Sequence, residues 1–198
     1  MPERYSHTLL VAGTDEAGRG CLAGPVTAAA IILPSDFEHP VLTDSKQLTE
    51  KQREQLLPIL EEKGVTFGVC HLPPETIDTV NILNASIAAM HGALDQFIKK
   101  PELVLVDGNR FKKYGDIPHE CVVKGDSKYL CIAAASVLAK THRDAIMLKL
   151  HQEYPQYHWN QNKGYPTKAH REAIRKHGLS PYHRKSFRQL PEQMTLDL

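Results

Sequence analysis

The stretch LLVAGTDEAGRGCLAG, from Leu9 to Gly24, constrains this chain more than any other: an apolar run breaks into two adjacent carboxylates and then into glycines around one arginine. Leu9 to Ala12 predict a buried strand and Gly13 predicts its loosening, which places Asp15 and Glu16 where the backbone leaves the sheet. Neighbouring side chains on a regular strand point to opposite faces, so both acids share a site only where the backbone twists or bulges. Gly18 and Gly20 let backbone amides approach a ligand closely, and Arg19 between them offers a guanidinium to a phosphate. Taken alone, a DE pair ahead of glycine is also what a charged surface turn looks like.

The rest of the chain narrows that choice. Its 198 residues suit one domain with a decorated end, expected over 1–190, with a basic helical segment from about 155 and a flexible tail at 191–198. No apolar run approaches the roughly 20 residues of a membrane span. The opening MPERYSHT lacks a signal-peptide layout, so a cytoplasmic protein without a membrane partner is expected, and a monomer. Cys21, Cys70, Cys121 and Cys131 form no CxxC pair, which speaks against a zinc knuckle or a disulfide framework.

A net charge of +1 hides a segregation. Between Lys140 and Leu190 there are 11 lysines and arginines against three acids, a surplus of +8 that leaves the remainder at −7. A solvated helix face carries such charge too. Its mixture with Tyr154, Tyr157, Trp159, Tyr165, Tyr182, Phe187 and six histidines points to a nucleic-acid surface.

In chain order, Pro25 to Leu33 predict a second strand, in a hairpin with the first. Thr49 and Gln52 form a capping box for a helix over about 50–63, stopped by Gly64 and bent by Pro58. Ahead of it, Asp44, Ser45 and Lys46 read equally as a lead-in loop or as a phosphate grip. Val65 to Leu72 predict a third strand, and PETIDTV a helical turn. Leu83, Ile87, Met90, Leu94 and Phe97 mark an amphipathic helix over 82–99, beside which His91 reads as structural. Leu103 to Val106 predict a buried strand ending on Asp107, and Cys121 to Val123 a short one. From Ser127 onward a long alanine-rich helix is expected, with Asp126 at its start as an N-cap, a metal ligand, or both. Pro166 and Thr167 open another helix that ends near Gly178. The polar, aromatic text beyond 154 is expected to lie over the core, not within it.

Asp15, Glu16, Asp107 and Asp126 thus stand at or beyond three strand ends. An oxygen-only cluster suits Mg²⁺ or Mn²⁺, and two such ions about 3.5–4 Å apart activate water and stabilise a leaving oxygen. A two-metal nuclease follows from the residues alone.

DEAGRG, TDSKQL, LVDGN, KGDSKYLCIAAASVLAK, NKGYPT and HRKSF, in this order over residues 9–188, closely resemble the bacterial type 2 ribonucleases H, the ribonuclease HII family. The resemblance implies an α/β, ribonuclease H-like three-layer fold: a central mixed five-stranded sheet flanked by helices, with a helical C-terminal segment. It implies cleavage of the RNA strand of RNA/DNA hybrids and of single ribonucleotides in duplex DNA, 5′ of the ribonucleotide, leaving 3′-hydroxyl and 5′-phosphate ends. Asp15, Glu16, Asp107 and Asp126 then correspond to the metal-binding catalytic acids. Gly18, Arg19 and Gly20 correspond to the element that reads the ribose 2′-hydroxyl, and Tyr165 to the tyrosine that stacks on the next sugar. Ser45, Lys46, Arg184 and Lys185 are expected to touch backbone phosphates. Cys21 stands where many members have proline, and the extra N-terminal domain of the ribonuclease HIII type is not expected. Another two-metal nuclease of the same superfamily, or a non-catalytic binding module, are the alternatives. Gln193 to Leu198 are similar to the tails by which bacterial replication proteins dock on a sliding clamp.

Overall fold

The computed structural model describes residues 2–42, 48–62 and 65–190, so Asp44, Ser45, Lys46, Gly64 and the tail from 191 lie outside the described residues. Five strands form one mixed sheet in the order β3-β2-β1-β4-β5. They are β1 (Val11–Ala17), β2 (Val26–Ile32), β3 (Thr66–Leu72), β4 (Leu103–Asp107) and β5 (His119–Val122). β1, β2 and β3 pair antiparallel, whereas β4 joins β1 and β5 joins β4 in parallel.

Helices cover both faces, as continuous apolar strands such as β2 and the middle of β4 require. On one side lie α1 (Glu50–Leu60) and the long α4 (Leu130–Glu153), packed over Ala29, Ile31 and Leu105. On the other lies α3 (Ile82–Asp95), whose Met90 and Leu94, with Phe97 just beyond, cover Ala28, Ala30 and Val104. The capping box of α1 forms as expected, with Gln52 N donating to Thr49 Oγ1 at 3.2 Å and Thr49 N to Gln52 Oε1 at 2.9 Å. The short α2 (Pro74–Val80) follows β3. No helix among the described residues is long and apolar enough to cross a membrane.

Two expectations fail here. Gly13 does not loosen β1, which runs on to Ala17. A Cβ at Gly13 would stand 2.3 Å from the Cys131 backbone, so this glycine lets α4 press on the sheet. The long helix begins at Leu130, not Ser127, and its N-cap is Tyr129. Asp126 is therefore no N-cap: it sits in a separate 3-10 turn over Gly125–Ser127.

The C-terminal segment is a further correction. After α4 come α5 (Trp159–Asn162) and α6 (Lys168–His177), the latter capped by Thr167 and ended at Gly178. Trp159, Tyr157, Ala173 and Ile174 are buried against Leu22, Ala23 and Met147, so the segment builds a core of its own. Tyr157 and Trp159 stack at 5.1 Å, which removes both rings from the surface where they were expected to meet nucleic acid.

Candidate active site

The site forms where two parallel strands end out of step. β4 stays beside β1 only as far as Thr14↔Val106, while β1 continues against β2 to Ala17↔Thr27. Asp15 and Glu16 occupy that overhang, and Asp107 is the last residue of β4. The β1–β2 register is one-to-one from Gly13 to Ala17, so no bulge brings the acids together. Asp15 points to the α4 side, where Ser136 hydrogen-bonds to it, and Glu16 points to the α3 side, beside Leu83 and Ser86. Both still border one cleft with Asp107, because the missing β4 neighbour opens the sheet edge between them.

The fourth acid, Asp126, is buried next to this wall. Its neighbour Gly125 donates its amide to Asp107 Oδ1 at 2.6 Å. Lys124 ahead of it takes a left-handed conformation (φ 56°) that turns the chain from β5 into the 3-10 turn.

The electrostatics follow from burying like charges. Burial pushes the Asp15 carboxyl up to about 8, with Glu16 and Asp107 adding to the rise. Burial also raises Glu16, against the pull of Arg19, whose guanidinium lies 3.0 Å from Glu16 Oε1. Glu16 Oε2 is buried without a hydrogen-bond partner. Among the described residues no three acids, histidines or cysteines are gathered as a ready-made metal cage. The donor set nevertheless fits a hard divalent cation: the oxygens are carboxylates, one buried acceptor lacks a donor, and Mg²⁺ binds through one or two carboxylates plus water and phosphate.

The glycine-rich loop forms the second wall. Gly18 has φ +89°, and a Cβ there would fall 2.0 Å from Arg143 Nε. Nothing lies within 4 Å of a Cβ built on Gly20, so the open space before it faces the cleft. Two buried arginines hold this loop from beneath. Arg143 donates to Pro25 O, Ala23 O and Lys163 O at 2.9, 3.1 and 2.7 Å. Arg184 donates to Gly24 O, Arg19 O and Pro25 O, each at 3.0 Å. Tyr165 and Lys140 complete the rim, and Tyr165 is 48% exposed beside the acids.

The structure thus brings Asp15, Glu16, Asp107, Gly18, Arg19, Gly20 and Tyr165 to one cleft and sets Asp126 against it. It does not bring Arg184, which is fully buried and spent on backbone carbonyls, so its expected phosphate contact is replaced by a scaffolding role. Lys185 is exposed, but its amide is tied to Asp78 at 2.9 Å. Ser45 and Lys46 lie outside the described residues. Cys21 is buried under the Tyr165 loop, its Sγ 3.7 Å from Lys163 O, and burial pushes the thiol up. His91 is structural, at 3.1 Å from Lys112 O. Arg143 escaped the sequence reading. Its signal was its place on the α4 stripe Ala139, Arg143, Met147, Leu150, where an apolar residue belongs. A cavity of about 400 Å³ at the far end of the sheet, around Arg4 to Val11, holds none of these acids.

The chain is similar to known proteins over nearly its whole length. The family model described as Ribonuclease HII matches residues 12–190. The Ribonuclease HII of Christiangramia forsetii is 58% identical over 193 residues, covering 98% of each chain. Among solved structures, the RNase HII seen in a PCNA complex from Archaeoglobus fulgidus is 26% identical, with a TM-score of 0.71 over 88% of this chain and 92% of that one. Bst-RNase HIII, solved with Mn²⁺, shares the fold at a TM-score of 0.69 and 18% identity, covering 92% of this chain and 68% of that one.

Proposed function

The chain belongs to the ribonuclease HII family, hydrolases that cut RNA in RNA/DNA hybrids, and from that premise we propose that its cleft also cuts at a single ribonucleotide embedded in duplex DNA. The observation that carries the reading is the continuity of Asp15 and Glu16 with Gly18, Arg19 and Gly20. Chemistry and sugar recognition then share one cleft.

The reaction is hydrolysis of the phosphodiester on the 5′ side of the ribonucleotide. Asp15, Glu16, Asp107 and Asp126 would hold two divalent cations, Mg²⁺ or Mn²⁺, which supply an activated water and neutralise charge on the phosphate. The Mn²⁺ seen with the structurally similar Bst-RNase HIII is consistent with that donor chemistry. Gly18 and Gly20 present backbone to the ribose 2′-hydroxyl, the one group that separates RNA from DNA at the site. Arg19, half-exposed and paired with Glu16, takes the adjoining phosphate, and Tyr165 stacks on the following sugar. Lys149, Lys168, Arg175, Lys176 and Lys185 are exposed and supply the positive surface for the polyanion.

Product analysis tests the proposal. Cleavage of a duplex with one ribonucleotide should leave a 3′-hydroxyl on the upstream strand and a 5′-phosphate on the ribonucleotide. A 2′,3′-cyclic phosphate would contradict it, because the 2′-hydroxyl would then be the nucleophile and not the recognised group.

We also propose that Gln193 to Leu198 dock in a sliding clamp. The tail's composition and the Archaeoglobus relative's complex with PCNA support this. Deleting residues 193–198 should abolish clamp pull-down and leave cleavage of short duplexes intact; clamp binding that survives the deletion refutes it.

A further inference from the structure

Behind Tyr165 lies a buried polar chain whose proton positions the geometry fixes. Trp159 Nε1–H and the Ser180 amide can only donate, and the Tyr165 carbonyl can only accept. Trp159 Nε1 lies 3.0 Å from His170 Nε2, so that nitrogen is an acceptor. His170 Nδ1 lies 2.9 Å from Tyr165 O, so that nitrogen carries the proton. The Ser180 amide lies 3.0 Å from His183 Nδ1, which is therefore the acceptor. The proton of His183 is then on Nε2, and it points at His170 Nε2 at 3.2 Å. One neutral arrangement fits both rings: His170 Nε2 shares its lone pair between Trp159 and His183, the Ser180 hydroxyl also lies 2.9 Å from His183 Nδ1, and both residues are at most 1% exposed.

Either ring flipped to the other tautomer would set two donors, or two acceptors, face to face. The chain has a direction: Ser180 orients His183, His183 and Trp159 orient His170, and His170 grips the carbonyl of Tyr165. That carbonyl takes a second bond from Thr167 N at 2.8 Å. The same relay touches the other wall, because Gly24 N donates to Tyr182 O at 2.9 Å and Arg184 N to Leu22 O at 2.9 Å, on either side of His183.

We propose that His170 is a positioning residue for Tyr165, locked by His183 and Trp159 in its Nδ1-protonated tautomer, and that this lock sets the enzyme's preference for a ribonucleotide followed by DNA. The inference rests on the reading of Tyr165 as the residue that stacks on the sugar. Burial lowers the pKa of both histidines, that of His183 to about 4, which keeps the neutral arrangement in place at neutral pH.

Two isosteres separate positioning from mere packing. The amide nitrogen of asparagine falls where histidine carries Nδ1, so His170→Asn keeps the donor to Tyr165 O. Glutamine reaches the Nε2 position, so His170→Gln keeps an acceptor for Trp159 and His183 but loses the grip on Tyr165. The measured quantity is the ratio of kcat/KM on a single-ribonucleotide duplex to kcat/KM on an RNA/DNA hybrid. It should fall about five-fold in His170→Gln, the worth of one neutral hydrogen bond, and stay near wild type in His170→Asn. Equal ratios in the two variants would overturn the proposal. Nitrogen-15 NMR of the wild-type imidazoles tests it without any variant: His170 should show Nδ1–H and His183 Nε2–H, and the opposite tautomer at His170 would overturn it. Tyr165→Ala separates the two levels. If that variant keeps the wild-type ratio, the stacking role of Tyr165 fails, while the tautomers stand or fall on the spectrum alone.

Discussion

Asp107 separates chemistry from folding. It ends β4 half-buried, and its carboxylate accepts the Gly125 amide, a bond that an asparagine Oδ1 can also accept. Asp107→Asn is therefore expected to unfold at a temperature close to wild type while losing about 10²–10³-fold in kcat, as loss of a charge aimed at the reacting centre does. A thermal melt and a single-turnover cleavage assay on the same preparation check both halves. That Asp15, Glu16 and Asp107 would meet was legible from sequence because each follows an apolar strand run. Arg143 and Arg184 were not, because a cation in a basic, aromatic stretch reads as surface. Five bonds to carbonyls of the 18–25 loop and one to Lys163 O explain why both are inside, and those carbonyls converge only in the folded chain.

Among the elements, the loop between β1 and β2 has the least tolerance. Gly18→Ala would force a left-handed residue and drive a Cβ into a guanidinium that three carbonyls hold still. It should cost roughly 2–5 kcal/mol, the sum of a left-handed penalty and overpacking, read from the denaturant midpoint. Gly20→Ala meets nothing within the protein, so its stability should change by less than about 0.5 kcal/mol while KM for the ribonucleotide duplex rises. Equal stability losses at the two positions would show that Gly20 serves the fold and not the ligand. At this scale the sequence was informative where the signal is local: the α1 capping box, the α3 stripe and the α6 caps all form. It misled where a residue serves a partner far along the chain. Gly13 answers to Cys131 on α4, and Gly125, beside Asp126, answers to Asp107.

For the whole molecule, the C-terminal segment is a second core clamped on the glycine loop, and its polar centre holds two buried histidines. Burial holds the pKa of His170 below its usual value and that of His183 at about 4. Between about 4 and 6.5 the unfolded chain binds more protons at these sites, so their stability is complete above pH 6.5 and is lost as pH falls through that window. His183 alone accounts for at most about 3 kcal/mol of the loss. Asp15, held up at about 8, works in the opposite sense over the same window, so the histidine share is read as a difference: from pH 7 to pH 4.5 the melting temperature of His183→Gln should fall less, or rise more, than that of the wild type. An equally steep profile in the variant would place the acid sensitivity elsewhere. The surplus of positive charge was visible in sequence, but its division into an exposed half and a buried half was not, since Arg143 and Lys149 stand on the same helix with opposite burial.

The proposed coupling of metal-holding acids and sugar-reading backbone in one cleft is tested most directly by cleavage of three duplexes with Mg²⁺ or Mn²⁺. One carries a single ribonucleotide in DNA, one is an RNA/DNA hybrid and one is all DNA. The single-ribonucleotide duplex and the hybrid should be cut and the all-DNA duplex left intact. Cleavage of the all-DNA duplex, or none at the single ribonucleotide, would contradict the account.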